Sequence, residues 1–206
     1  MTDFSTPSSK SRPERRRFLR QGSALVAGAC LLGLQAPAWA ADAEIRTASL
    51  TPTDELYVLN ADINAELSPL LADVVTRGVS LYFIVEFELT AGRWYWLDEE
   101  VASKTLTYRL SYQSLTRQYR LTTGALHQNF SSLDDAMRTM LRIRNWGIAD
   151  KAALKPGRSY SAALRFRLDG GELPKPIQVG AIGRKDWTLA TEWHRWVYTP
   201  GREGSK

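Results

Sequence analysis

The chain has 206 residues, with 27 Lys and Arg against 22 Asp and Glu, a formal charge of +5. Hydrophobic residues make up 44% and charged residues 24%, the mix of a globular protein, which excludes collagen-like, disulfide-scaffold and multi-pass membrane classes. The basic balance invites a nucleic-acid reading, which stands or falls on where the charges sit.

Residues 1–40 read as an export signal. A polar start leads into Arg15-Arg16-Arg17-Phe18-Leu19-Arg20, an apolar stretch runs from Ser23 to Leu34, and Ala38-Trp39-Ala40 precedes Ala41. That is a positive region, a short apolar region and a small-x-small cleavage site after Ala40, too short to form a spanning helix. Arg15, Arg16, Phe18 and Leu19 fit the twin-arginine pattern, and Gly22, Gly28 and Gly33 keep the apolar region mild. A general-secretion signal has the same three-part layout and is the alternative route. Lipidation of Cys30 is a third reading, disfavoured by Ala27 where lipoprotein signals usually carry Leu.

Residues 1–40 hold six basic and two acidic side chains, so the remainder is nearly neutral at +1. Nucleic-acid binding thereby loses its main support, and none is expected. The remainder is uneven: residues 41–100 carry 3 basic and 12 acidic side chains, and residues 101–206 carry 18 and 8. Either the halves present two faces to different partners, or they interleave as strands whose charges pair. Interleaving is the favoured reading. Cys30 is the only cysteine, so the exported part forms no disulfide and depends on its core.

The periodicity is mostly β. Tyr57 to Leu67 alternates apolar and polar residues. Ser68-Pro69 then predicts a helix start, with Ser68 as N-cap, Gly78 as the stop and Leu71, Val74 and Val75 inward. Val79 to Leu89 alternates strictly, and Ala91-Gly92-Arg93 reads as a turn into a Trp94–Leu97 strand. Thr105 to Tyr112 and Arg117 to Thr122 predict two more strands joined by a turn at 113–116. A second helix is predicted over Leu133–Trp146, with Ser132 and Asp135 at capping spacing and Gly147 as its end. Tyr160 to Leu168 alternates again, with Arg165 and Arg167 outward. Pro174 and Pro176 break the chain before Ile177–Ala181, and Trp187–Tyr198 supplies the last strand or pair. The expectation is a mainly β, antiparallel sandwich-like single domain over 41–200 with two short added helices and a loose tail at 201–206.

Chemistry-bearing residues are sparse. His127 and His194 are the only histidines. Ser131, Asp134 and Asp135 lie near His127, but no Gly-x-Ser-x-Gly elbow supports a triad. Histidines 67 positions apart, with no cysteine at ligand spacing, give no zinc case, so no metal or cofactor is expected. Asp98-Glu99-Glu100 could bind a hard cation but lacks calcium-loop spacing, and reads as a solvated loop. Asp62 and Glu66, four apart on an extended chain, lie about 13 Å apart, too far for a glycosidase pair. Gly170-Gly171 and Gly180-x-x-Gly183 read as turns. The Arg165/Arg167 pair either binds an anion or is paired across strands. Six tryptophans follow the signal. Trp94, Trp96, Trp193 and Trp196 would form a binding surface if exposed, and core if buried. Burial of most is favoured, with Trp96 or Trp196 as the exposed one.

The signal, Ser68-Pro69-x-Leu71, Gly78-Val79-x-Leu81, Leu115-Thr116-Arg117-Gln118-Tyr119, Leu173-Pro174-x-Pro176 and Asp186-Trp187 occur in an order that resembles the proteobacterial domain of unknown function 4390 family, over nearly all of residues 45–198. The resemblance implies an exported single domain with no assigned activity and no catalytic residues to carry over. It also implies a periplasmic accessory role beside a nitrogen-responsive sensor kinase. The expected function is a non-catalytic periplasmic binding or interaction module, delivered by the export machinery. Its partner would be a protein in the periplasm or at the inner-membrane surface, such as the kinase's extracytoplasmic part. The alternatives are a cell-envelope enzyme using His127 or His194, and a lipid or small-ligand carrier.

Overall fold

The computed structural model describes residues 43–92, 99–181 and 185–201. The chain divides between Ala40 and Ala41 into two units, and the described residues belong to the second. The predicted signal, its Arg15, Arg16, Phe18 and Leu19 motif, its Ala38 and Ala40 cleavage site, the Trp94–Leu97 strand and the 202–206 part of the tail lie outside the described residues.

Nine strands are described, in two antiparallel sheets. The smaller has the order β1 (Ala43–Pro52), β2 (Leu56–Ala65), β7 (Arg142–Asp150). The larger has the order β6 (Leu126–Phe130), β5 (Gln118–Thr123), β4 (Glu99–Gln113), β3 (Leu81–Ala91), β8 (Tyr160–Leu168), β9 (His194–Tyr198). Helices α1 (Pro69–Thr76), α2 (Leu133–Met140) and α3 (Lys175–Ala181) join them. The molecule is mainly β and sandwich-like, as the alternation predicts, with three helices rather than two. Pro176 sits in the first turn of α3, where a missing N–H costs nothing.

The core follows directly from period 2. Leu81, Phe83, Val85, Phe87, Leu89 and Ala91 on β3 are fully buried, and so are Leu164 and Phe166 on β8. Phe83 and Phe166 stack at 5.6 Å, and Phe87 lies against Trp196 at 6.1 Å. Burying each such large side chain contributes about 1.5–3 kcal/mol. From the smaller sheet, Leu59, Ala61 and Ile63 on β2 and Ile143 and Ile148 on β7 belong to the same core. Helix α1 begins as its sequence predicts. Ser68 Oγ accepts the Leu71 N–H at 3.2 Å and donates to the Asp186 carbonyl at 2.6 Å. Leu71, Val74 and Val75 are buried, and Gly78, with φ of 95°, ends the element in the left-handed region.

Three elements differ from the sequence-based expectation. The second helix stops at Met140, and residues 142–150, including Trp146, pair with β2 as β7. Ser132 does cap it, accepting the Asp135 N–H at 3.1 Å. The helical spacing of Met137, Leu141 and Arg144 misleads because β7 is bulged. Leu59 opposes Trp146 while Ala61 opposes Ile143, so β7 spends an extra residue, and Asn145 there has φ of 52°. That residue interrupts the period-2 signal. Glu99 and Glu100 belong to β4, paired with Ala91 and Thr90, not to a solvated loop. Strands β1 and β6 were not predicted. Both are edge strands, and β6 buries none of its residues.

The acidic and basic halves interleave. Glu86 on β3 pairs with Arg165 and Arg167 on β8, Asp62 on β2 with Arg142 and Arg144 on β7, and Glu99 on β4 with Arg158.

Candidate functional site

Strand β7 begins at Arg142, opposite Asp62. Residues 63–65 of β2 therefore run on without a β7 neighbour. Helix α2 fills part of that place, and the Ile63 N–H donates to the Leu141 carbonyl at 3.0 Å. Between this end of the smaller sheet, α1 and α2 lies a groove of about 920 Å³. Ile63, Ala65, Met137 and Leu141 give it apolar surface, and Arg46, Arg138, Arg142, Arg144, Asp62, Glu66 and Asp134 give it charge. It has nearly twice the volume of the hollow lined by Tyr57, Leu154 and Tyr198, about 510 Å³.

Two bulges aim its arginines. Ile45 opposes Ile63 and Thr47 opposes Asp62, so Arg46 is the unpaired extra residue of β1. The β7 bulge falls at Arg144 and Asn145, and Asn60 Oδ1 accepts the Asn145 N–H at 3.0 Å. Extra residues of this kind redirect side chains at sheet edges.

The groove's charges are of two kinds. Arg144 is the most engaged: it donates to the carbonyls of Ala61 and Ile143 at 2.9 and 2.7 Å and to Asp62 Oδ1 at 2.6 Å. Asp62 is likewise engaged, since Oδ2 accepts from Thr47 at 3.2 Å. The Arg144 hydrogen bond, against a smaller opposing effect of burial, holds its carboxyl below the usual range. Asp62 is therefore an anchor for Arg144 and no proton donor near neutral pH. Arg46, Arg138 and Arg142 differ. Among the described residues they pair with Glu44 at 3.8 Å, Asp135 at 3.4 Å and Asp62 at 3.8 Å, and their side chains are 62–69% exposed. A guanidinium carries five N–H donors, and most of theirs have no partner among the described residues.

The residues singled out from sequence do not form one site. Arg165, Arg167 and Trp193 lie on the outer face of the six-stranded sheet. Glu86 Oε2 accepts from Arg165 at 2.9 and 2.7 Å, and Oε1 accepts from Arg167 at 3.2 and 3.0 Å. Trp193 covers the Arg165 guanidinium at 4.8 Å, and Arg195 lies 5.8 Å from the same ring. Burial pulls the Glu86 carboxyl up, but the two guanidinium forks outweigh it and hold it low. This is the cross-strand-paired form of the Arg pair. Trp196 is half-buried against Phe87 and His194, at 6.1 and 5.5 Å. Trp146 and Trp187 pack against the core. Trp94 and Trp96 lie outside the described residues.

His127 is on β6 and His194 on β9, opposite edges of the larger sheet. Five strand spacings of ~4.8 Å put them roughly 24 Å apart. Among the described residues no hydrogen bond links His127 to Ser131, Asp134 or Asp135. Asp135 instead accepts the Ser132 hydroxyl at 2.7 Å and pairs with Arg138. Asp62 and Glu66 share the groove, but the first is committed to Arg144. No group of three or more His, Cys, Asp or Glu able to hold a metal occurs among the described residues.

Arg46, Arg138, Arg142 and Arg144 were not singled out from sequence. Arg142-x-Arg144 has the same spacing as Arg165-x-Arg167, a signal that was hidden by the helical reading of that segment.

The family model described as Domain of unknown function (DUF4390) matches residues 40–197. No curated protein and no solved structure matches the chain.

Proposed function

The chain belongs to the Domain of unknown function (DUF4390) family, and from that premise we propose an exported, non-catalytic binding module that holds a ligand in the groove beside α2. One observation carries this reading: of the groove's three carboxylates, Asp62, the one set among the arginines, is held by Arg144 and Thr47, while Arg46, Arg138 and Arg142 keep unmatched donors among the described residues. Groups fixed in this way orient a ligand but do not shuttle protons. A protein at the inner-membrane surface, such as the extracytoplasmic part of a sensor kinase, is the partner that would read the loaded state.

Ala72, half-buried on α1, lines the groove. An Ala72→Trp chain should keep its secondary structure by circular dichroism yet fail to complement a deletion in the native host. Replacing both histidines by Ala should leave complementation intact. Full activity of Ala72→Trp, or loss of function in the double histidine variant, would contradict the reading. Delivery by the twin-arginine route predicts that Arg15→Lys/Arg16→Lys leaves the protein uncleaved in the cytoplasmic fraction, and normal export of that variant would favour general secretion.

A further inference from the structure

We infer that the groove's ligand is an amphiphilic anion, an apolar body with a carboxylate or phosphate head, and that Arg138 and Arg142 receive the head with Arg46 facing them. This rests on the binding reading above and names the chemistry of the same site.

The arginines decide the head group. Arg138 and Arg142 line both the groove and the adjoining hollow of about 530 Å³ beside Asn129, Phe130 and Thr139. Each makes one long ion pair, at 3.4 and 3.8 Å, and each is more than 60% exposed. A planar fork with unmatched N–H groups is suited to bidentate contact with carboxylate or phosphate oxygens. Arg144 is the less available fork, because three of its five N–H groups already go to two carbonyls and Asp62. It positions Asp62, which keeps that carboxylate turned onto the strand. The groove's other acids limit the head to one end. Glu66 and Asp134 also line it, and a second anionic group beside them would be repelled.

The floor decides the body. Ile63, Ala65, Met137 and Leu141 are 7–8% exposed, so their small accessible areas face the groove while their bulk belongs to the core. A bare phosphate would leave that surface wet and most of a 920 Å³ space empty. A short hydrocarbon chain would cover it.

The test uses the chain from Ala41 to Lys206, the second of its two units, in calorimetric titrations at fixed ionic strength. The probes are decanoate and decyl phosphate as monomers, decanol as the neutral analogue, and phosphatidylglycerol vesicles. Decanoate or decyl phosphate, or both, should bind one per chain, and decanol about tenfold more weakly or worse. Arg138→Gln/Arg142→Gln should lose about tenfold for the anions. Arg109→Gln/Arg120→Gln, which removes the same charge from the outer face of the larger sheet, should lose none. Melting curves of both variants check that they fold, and Arg46→Gln gives a second, milder reading of the same site. Equal affinity for decanol overturns the inference, as does an equal loss in the outer-face variant. Binding to vesicles with none to monomers also overturns it, because a surface rather than the groove would then be the receptor. If no anion binds while Ala72→Trp still abolishes complementation, the anion inference fails and the groove reading survives. If anions bind as expected and Ala72→Trp complements fully, the groove reading fails instead.

Discussion

Two arginine clusters in this domain use the same residue types to opposite ends. On the outer face of the six-stranded sheet, both oxygens of Glu86 are taken by the forks of Arg165 and Arg167, at 2.7–3.2 Å, and Trp193 covers one fork. In the groove beside α2, Arg46, Arg138 and Arg142 reach their carboxylates only at 3.4–3.8 Å and stay mostly exposed. The first cluster holds β3 to β8. The second leaves donors facing a cavity. A short two-pronged contact with a carboxylate, and not the number of arginines, separates a structural cation from a receptive one.

Breaking the closed cluster should cost most. Glu86→Ala leaves the half-buried Arg165 without its ion-pair partner and Arg167 with only Asp169, at 3.9 Å, and partial solvation reduces the full buried-pair penalty to about 2 kcal/mol. Urea unfolding measures it, and a loss no larger than that of an exposed arginine substitution would refute the contrast. Next comes the bulge that aims Arg144. Asn145 sits at φ of 52°, so Asn145→Val should destabilise by about 1 kcal/mol and Asn145→Gly by much less. Equal losses in the same urea titration would mean that the backbone relaxes.

The pH dependence sharpens the same contrast. Glu86 has its pKa lowered from an ordinary 4.5, where burial is outweighed by Arg167 and Arg165. The unfolded chain therefore takes up the proton first as pH falls. The stabilisation is complete above pH 4.5 and is lost as pH drops through the lower folded-state value. Asp62, lowered from 3.8 chiefly by Arg144, behaves alike with less weight because its side chain is 43% exposed. Glu86→Gln should flatten the acid side of the stability curve below pH 4.5, and an unchanged slope would show that Glu86 carries no linkage. The smallest effect belongs to the open cluster. Arg138→Ala should change folding stability by no more than about 0.5 kcal/mol, and a larger loss would make it structural.

The sequence shows most where alternation is unbroken. β3 buries every second residue from Leu81 to Ala91, and the Ser68-Pro69 cap and Gly78 stop give α1 directly. It hides most where a bulge inserts a residue. Arg46 in β1 and the Arg144-Asn145 step in β7 each shift the face pattern, so β1 escaped notice and β7 passed for helix. β6 escaped because a short edge strand with Leu126 and His127 exposed has no apolar face to display. The site is harder still, since its residues come from β1, β2, α1, α2 and β7. Nothing in spacing says that Arg46 and Arg138 meet one groove, or that Arg165 and Arg167 share one glutamate. The pairing of an acidic first half with a basic second half was readable as a possibility, and the strand order of the sheets makes it a fact.

The central claim is that the groove arginines receive an anion while the outer-face arginines do not. Arginine side-chain NMR during a decanoate titration tests it most directly. The account predicts saturating shifts of the Nε–Hε signals of Arg138 and Arg142, with Arg165 and Arg167 unmoved. Shifts of equal size in both clusters, or in Arg165 and Arg167 alone, would contradict it.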